Sequence, residues 1–240
     1  MAAGVAPEGV AVSPNGQSAY VTNAAASGVS QYDVGAGGEL SPKTPARVAA
    51  GSEPIGVAVS PDGESVYVTN FGPEPPGNVL QYDVGAGGAL TPKSPATVAA
   101  GIAPDGVAVS PNGQSAYVTN FISGSVSQYD VGAGGTLSPK SPATVAAGRS
   151  PRGVAVSPEG VYVANSGSGS VSQYDVGGDG ALSPKTPTTV AAGFGAFGVA
   201  VSPLPRVPTS KAQCKHGGWR QFGFKNQGRC VRSVKHGPKK

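Results

Sequence analysis

A chain of 240 residues with 12% charged residues and a mean hydropathy of −0.09 is long enough to bury a core, and nowhere does it reach the roughly 20 consecutive apolar residues that span a bilayer. Its 38 Gly and 23 Pro would signal low complexity in an aperiodic chain, but here they fall at fixed intervals, as turn residues between short strands do. The net charge of +4 hides a split: residues 1–203 carry seven Lys/Arg and thirteen Asp/Glu, whereas residues 204–240 carry ten Lys/Arg and no acid.

The segment GVAVSPNGQSAYVTN starts at Gly9 and returns, almost unchanged, at Gly56 and Gly106. A shortened copy, GVAVSPEGVYVAN, starts at Gly153, and GVAVSP alone starts at Gly198. Spacings of 47, 50, 47 and 45 residues are those of a propeller or a related repeat array. Each copy holds four short β-like runs: GVAVS, then SAYVTN or its variants, then VSQYDV or VLQYDV, then a run ending in VAAG. Ser-Pro-Asn-Gly and Ser-Pro-Asp-Gly supply a turn between the first two runs, and Gly-Ala-Gly-Gly supplies one between the last two. The length differences fall in loops, as with FGPEPPGN in the second copy.

The predicted fold is therefore all-β: a β-propeller with about four four-stranded blades, plus one extra inner strand at 198. It occupies residues 1–203, with a Pro-rich linker over 204–213 and a basic Cys-containing module over 214–240. The opening AAG at 2–4 reads as the end of a further fourth strand, and MAAGVAPEGV lacks the basic and apolar regions of a signal peptide. The expectation is either a cytosolic chain or a truncated N-terminus, and the disulfide expected below favours the second.

YVTN at 20–23, 67–70 and 117–120, following SPxG, resembles the YVTN-type β-propeller repeat. GGxLSPK after QYDV resembles the lactonase-type propeller family, which includes 6-phosphogluconolactonase-like proteins. The resemblance covers residues 4–203 and implies a propeller. It also implies, as an alternative activity, hydrolysis of a sugar lactone at the mouth of the central channel. Members of that family typically have seven blades, so the few copies here leave ring closure open.

Residues present in every copy are structural before they are functional. Tyr32, Tyr82, Tyr129 and Tyr174 are expected to pack between blades, and Asp33, Asp83, Asp130 and Asp175 to cap turns or backbone. Lys43, Lys93, Lys140 and Lys185, each beside Pro, are expected to protect the free edge of the outer strand. The position that varies is the one before each GVAVS: Glu8, Ile55, Asp105, Arg152 and Phe197. Glu8, Asp105 and Arg152, with Arg149 nearby, are the candidate ligand-binding residues, although a tolerant exposed loop accounts for the same variety. No catalytic residue is assigned. The repeats contain no His and no Cys, which excludes Ser-His-Asp and Cys-His chemistry there. No cofactor or metal is expected; only an oxygen-ligated ion such as calcium suits the residue types.

The stretch CKHGGWRQFGFKNQGRC at 214–230 holds the only two cysteines. A Cys214–Cys230 disulfide is expected. The alternative is zinc on Cys214, His216, Cys230 and His236, although C-x-H…C-x5-H is poor zinc spacing. The stretch resembles a Cys-flanked GGW/FGF/NQG module at the C-terminus of secreted actinobacterial proteins. A disulfide implies an extracellular, secreted protein. Lys211, Lys215, Arg220, Lys225, Arg229, Arg232 and Lys235 form a basic surface suited to an anionic cell-wall polymer or polysaccharide ahead of nucleic acid. The leading expectation is a secreted propeller that binds or scaffolds, with a small-molecule ligand at its mouth and no membrane span.

Overall fold

The computed structural model describes residues 4–72, 76–201, 214–215, 227 and 230–231. The chain divides into Met1–Ala200 and Val201–Lys240. The first unit holds four sheets, each of four antiparallel strands paired in chain order. Blade 1 is β1 (Pro7–Val12), β2 (Ser18–Asn23), β3 (Gly28–Val34) and β4 (Leu40–Ala49). Blade 2 is β5 (Pro54–Val59), β6 (Ser65–Asn70), β7 (Asn78–Val84) and β8 (Leu90–Ala99). Blade 3 is β9 (Pro104–Val109), β10 (Ser115–Asn120), β11 (Ser125–Val131) and β12 (Leu137–Ala146). Blade 4 is β13 (Pro151–Ser157), β14 (Gly160–Asn165), β15 (Ser170–Val176) and β16 (Leu182–Ala191).

The inner strands start two residues earlier than the GVAVS repeat, at a Pro. The pairing slips just after it, between Pro7 and Val10 and at the equivalent places in the other blades. The Pro opens the strand, where the missing N–H interrupts no continuous ladder. Contacts between blades run β1 to β5 to β9 to β13, and the propeller-like arc does not close. The fifth copy keeps a place but not a strand. Gly198–Ala200 carries no strand pairing, although the Gly153 N–H donates to the Phe197 carbonyl at 2.9 Å. The YVTN-like run that follows in the other copies is missing from the sequence, and among the described residues Gly198–Ala200 has no hairpin partner.

The core lies between the blades. One apolar cluster sits at each junction, the first joining Tyr20 and Val29 of blade 1 to Val66, Val68, Tyr82 and Leu90 of blade 2. The other two junctions repeat it. Each cluster is edged by buried polar groups with partners across the junction. Tyr20, Tyr67 and Tyr117 donate to the carbonyls of Gly88, Gly135 and Gly180 in the next blade, each at 2.7 Å. Gln31, Gln81 and Gln128 accept the N–H of Leu90, Leu137 and Leu182 through Oε1. Tyr82, Tyr129 and Tyr174 donate in the other direction, to Ala49, Ala99 and Ala146, and so do pack between blades as the sequence suggests. The receiving turn needs glycine: at Gly135, φ is +74° and a Cβ would lie 1.9 Å from Ser65 Oγ.

The repeated lysines and aspartates have a different role from the one expected. Lys43, Lys93 and Lys140 are 6–8% exposed, not at a free edge. Each forms an ion pair with the aspartate of its own QYD, Asp33, Asp83 or Asp130, and donates to a carbonyl in the next blade's turn. The β3–β4 pairing slips between Ser30 and Tyr32, and the lysine reaches back across the hairpin into the junction. Burial of an ammonium demands both partners. The aspartates are thus counter-ions, not caps. In the second unit Cys214 is bonded to Cys230, which removes the thiolates that a zinc site would use. Lys215 is described and exposed; His216, His236, the 204–213 linker and the other six basic positions lie outside the described residues.

Burial pushes the Tyr67 hydroxyl up to about 12, so it stays a donor across the working pH range. Tyr67→Phe should remove the bond to Gly135 while leaving the ring in place. The expected loss is about 1 kcal/mol in urea denaturation, without a change of m-value.

Candidate functional site

The innermost strands bring the variable positions together in an axial ladder. A Cβ at Gly9 would lie 2.4 Å from the Ile55 carbonyl oxygen, and one at Gly56 would lie 2.3 Å from that of Asp105. Gly106 stands in the same relation to Arg152, and Gly153 to Phe197. These glycines let successive inner strands touch backbone to backbone, so Glu8, Ile55, Asp105, Arg152 and Phe197 follow one another across the blades. Threonine of YVTN holds the spacing. Thr22 accepts the Gly9 N–H at 2.8 Å and donates to the Ile55 carbonyl at 2.6 Å. Thr69 links Gly56 to Asp105, and Thr119 links Gly106 to Arg152. Blade 4 has Ala164 at this place, and there Gly153 bonds Phe197 directly.

The turn that feeds each inner strand is strained. Ala6, Glu53, Ala103 and Ser150 all have φ near +50°, each just before the strand's first Pro. The carbonyl of Ala103 accepts the Phe121 N–H at 2.8 Å, and that of Glu53 accepts the Phe71 N–H at 2.9 Å. This ties the residue after each YVTN to the ladder. The rings of Phe71 and Phe121 lie 5.7 Å apart, tilted.

Asp105 and Arg152 meet on this ladder. Arg152 Nη1 donates to Asp105 Oδ2 at 2.9 Å, with side-chain exposures of 27% and 6%. The guanidinium sits between two rings, 4.5 Å from the centroid of Phe121 and 4.7 Å from that of Phe197. Burial raises the Asp105 carboxyl above the usual carboxylate range. Arg152 pulls it back down, and the charge of Glu8 adds to the rise. Of the four candidates, the structure joins Asp105 to Arg152 and leaves Glu8 exposed within electrostatic reach. Arg149 instead lines a cleft of about 630 Å³ with Ile122, Ser150, Ser168 and Thr189, in which neither Asp105 nor Arg152 takes part. Sequence reasoning placed Phe197 on the variable rung but missed Phe121 as its aromatic counterpart; the signal was Phe after YVTN in copies two and three only.

The pair gives an acceptor and spare N–H donors beside exposed ring surface, with Phe197 60% exposed. It suits a ligand that carries both hydroxyl and carboxyl or carbonyl oxygens. Among the described residues, no three His, Cys, Asp or Glu gather as a metal cluster, and no helix is long and apolar enough to cross a membrane.

The carboxyl shift has a measurable sign. At acid pH the group is neutral in both folded and unfolded chains; as pH climbs past the raised folded value, the fold must hold a buried charge. Acidification from about pH 7 towards about pH 4 should therefore stabilise the wild type relative to Asp105→Asn. Paired urea titrations across that range check it, and a gap that moves the other way contradicts it.

The family described as a lactonase, 7-bladed beta-propeller, matches residues 75–196. A proposed 6-phosphogluconolactonase from Bacteroides fragilis superposes with a TM-score of 0.68 at 20% identity, covering 80% of this chain and 56% of its own. A periplasmic gluconolactonase from Pseudomonas aeruginosa gives a TM-score of 0.63 at 19% identity, covering 82% and 58%. A functionally unknown protein from Desulfotomaculum acetoxidans gives 0.68 at 17% identity, covering 84% and 61%. The chain thus spans less than two thirds of the length of these structures, and at such identity they share the fold. No curated protein matches the sequence.

Proposed function

Because the chain belongs to the lactonase seven-bladed β-propeller family, we propose that it is a propeller scaffold that binds a polyhydroxylated, sugar-acid-type ligand at its axial ladder. The observation that carries this reading is the Asp105–Arg152 pair. Among the described residues it is the one salt bridge outside the repeated Lys–Asp series. Its carboxylate is already engaged by a guanidinium, an arrangement for recognition and not for a free general base. A second reading, hydrolysis of a sugar lactone, draws on the family and on the raised Asp105 carboxyl beside Arg152. In that reading Asp105 would take a proton from water and Arg152 would stabilise the developing oxyanion.

Calorimetric titration with gluconate and glucono-lactone, beside a pH-stat assay of lactone consumption, separates the two. We expect saturable binding that weakens at least about tenfold in Arg152→Gln, with lactone lost only at its spontaneous rate. Enzymatic turnover that vanishes in Asp105→Asn would establish the hydrolase instead. Neither heat nor turnover would dispose of both.

The basic 204–240 segment and the disulfide favour a secreted protein whose tail attaches to an anionic surface polymer. The full chain should sediment with an anionic cell-wall polymer at low salt and be released by about 1 M NaCl. Retention at high salt would argue against a charge-driven attachment.

A further inference from the structure

Off the axis, Arg149 repeats the logic of the ladder. Its N–H donates to Ser168 Oγ at 3.2 Å, and its carbonyl accepts the Gly167 N–H at 3.0 Å. Blade 3 has the same double latch: the Ile102 N–H donates to Ser123 Oγ at 2.8 Å, and the Ile102 carbonyl accepts the Ile122 N–H at 3.3 Å. The latch is therefore scaffold, and the side chain it carries is free to differ. Where blade 3 has Ile102 and Ile122, blade 4 has Arg149 and Gly167. A Cβ at Gly167 would lie 2.9 Å from Ser150 Oγ and 3.2 Å from the Arg149 carbonyl oxygen, so a side chain there would crowd the wall that these two residues form.

The cleft over this junction of blades 3 and 4, about 630 Å³, combines one cation with several hydroxyls. Beside Arg149 it is lined by Ser150, Ser168, Ser170 and Thr189, with Ile122 as an apolar side, and no carboxylate lines it. Among the described residues no acid pairs with Arg149. The hydroxyls of Ser168 and Ser170 share a hydrogen bond at 2.9 Å; one donates, and the other keeps its proton for a further acceptor. Two stretches of chain border both this cleft and the Asp105–Arg152 pair. On blade 3, Phe121 lies against the Arg152 guanidinium, while the next residue, the exposed Ile122, lines the cleft. On blade 4, Arg149 and Arg152 are three positions apart, so their Cα atoms lie within about 11 Å of each other.

We propose that the cleft is a second subsite for the ligand of the axial ladder, and that this ligand is an acidic oligosaccharide with a carboxylate on successive rings. One ring sits at Asp105 and Arg152. The next lies in the cleft, with its carboxylate on Arg149, its hydroxyls on the serine and threonine side chains, and its C–H face on Ile122. The subsite presupposes the sugar-acid reading of the ladder and adds the length and charge of the ligand. A guanidinium in each subsite matches a carboxylate on each ring, and the distance between them suits two linked pyranose rings. A polymer with a phosphate at every unit would call for clustered Lys and Arg, whereas this lining is mainly hydroxyl.

Calorimetry on the full chain with galacturonate and its α-1,4-linked dimer, beside gluconate, tests the second subsite. The dimer should bind at least about tenfold more tightly than galacturonate. Arg149→Gln, at an exposed position, should abolish that gain and leave the affinity for galacturonate unchanged, whereas Arg152→Gln should weaken both. The basic tail is intact in Arg149→Gln, so a gain that came from the tail would survive the substitution. Equal affinities for galacturonate and its dimer, or a gain that persists in Arg149→Gln, overturns the subsite and leaves the ladder reading standing. Gluconate that binds while galacturonate and its dimer do not has the same meaning. An uncharged galactose dimer that gains as much as the acidic one overturns the role of the Arg149 charge. No binding of any of the three acids removes the ladder reading, and the subsite with it.

Discussion

The hydroxyl of Tyr67 donates to the carbonyl of Gly135, 68 residues further along the chain. That bond and its counterparts fix how one blade meets the next. A four-stranded sheet of this size has apolar residues on both faces and cannot stand alone in water. It becomes stable when its faces are covered, and here the cover is the neighbouring blade. A purely apolar junction would tolerate sliding. The tyrosine, glutamine and lysine bonds leave one register, because any other would strand buried donors without acceptors. Glycine in the receiving turn follows from the same requirement, since a side chain at Gly135 would overlap Ser65.

The axial ladder depends on those junctions. Once the blades are registered, the inner strands touch at their glycines, and threonine of YVTN measures the distance. Four copies of one sequence thus place one variable residue each on a common line. A ligand site needs chemistry once, and this arrangement separates the residues that build the line from the residue that decorates it. Asp105 and Arg152 are adjacent in space because they occupy the same place in adjacent copies, 47 positions apart. The threonine missing from blade 4 marks where the ladder loosens, and there the backbone of Phe197 is held by glycine alone.

Membership of a seven-bladed family and the shape of the arc bear on each other. The chain covers 56% and 58% of two of the structures it superposes on, about the share that four blades in seven represent.

Much of this protein is legible in its sequence. The repeat period, the turn residues and the run of four β-like segments determine blades, their number and their order, because strand alternation and turn geometry are local properties. The variable rung before each GVAVS is legible for the same reason: it stands out against a constant background. The Cys214–Cys230 pairing follows from there being only two cysteines. Tertiary structure alone decided the rest. Lysines beside prolines read as edge protection, yet they are buried counter-ions of the QYD aspartates, because a bulge and the arrival of the next blade's turn enclose them. Phe121 and Phe197 are far apart in sequence and meet over one guanidinium. Whether a charge is buried, and beside what, depends on which segments the blade junctions bring together, and no local pattern records that.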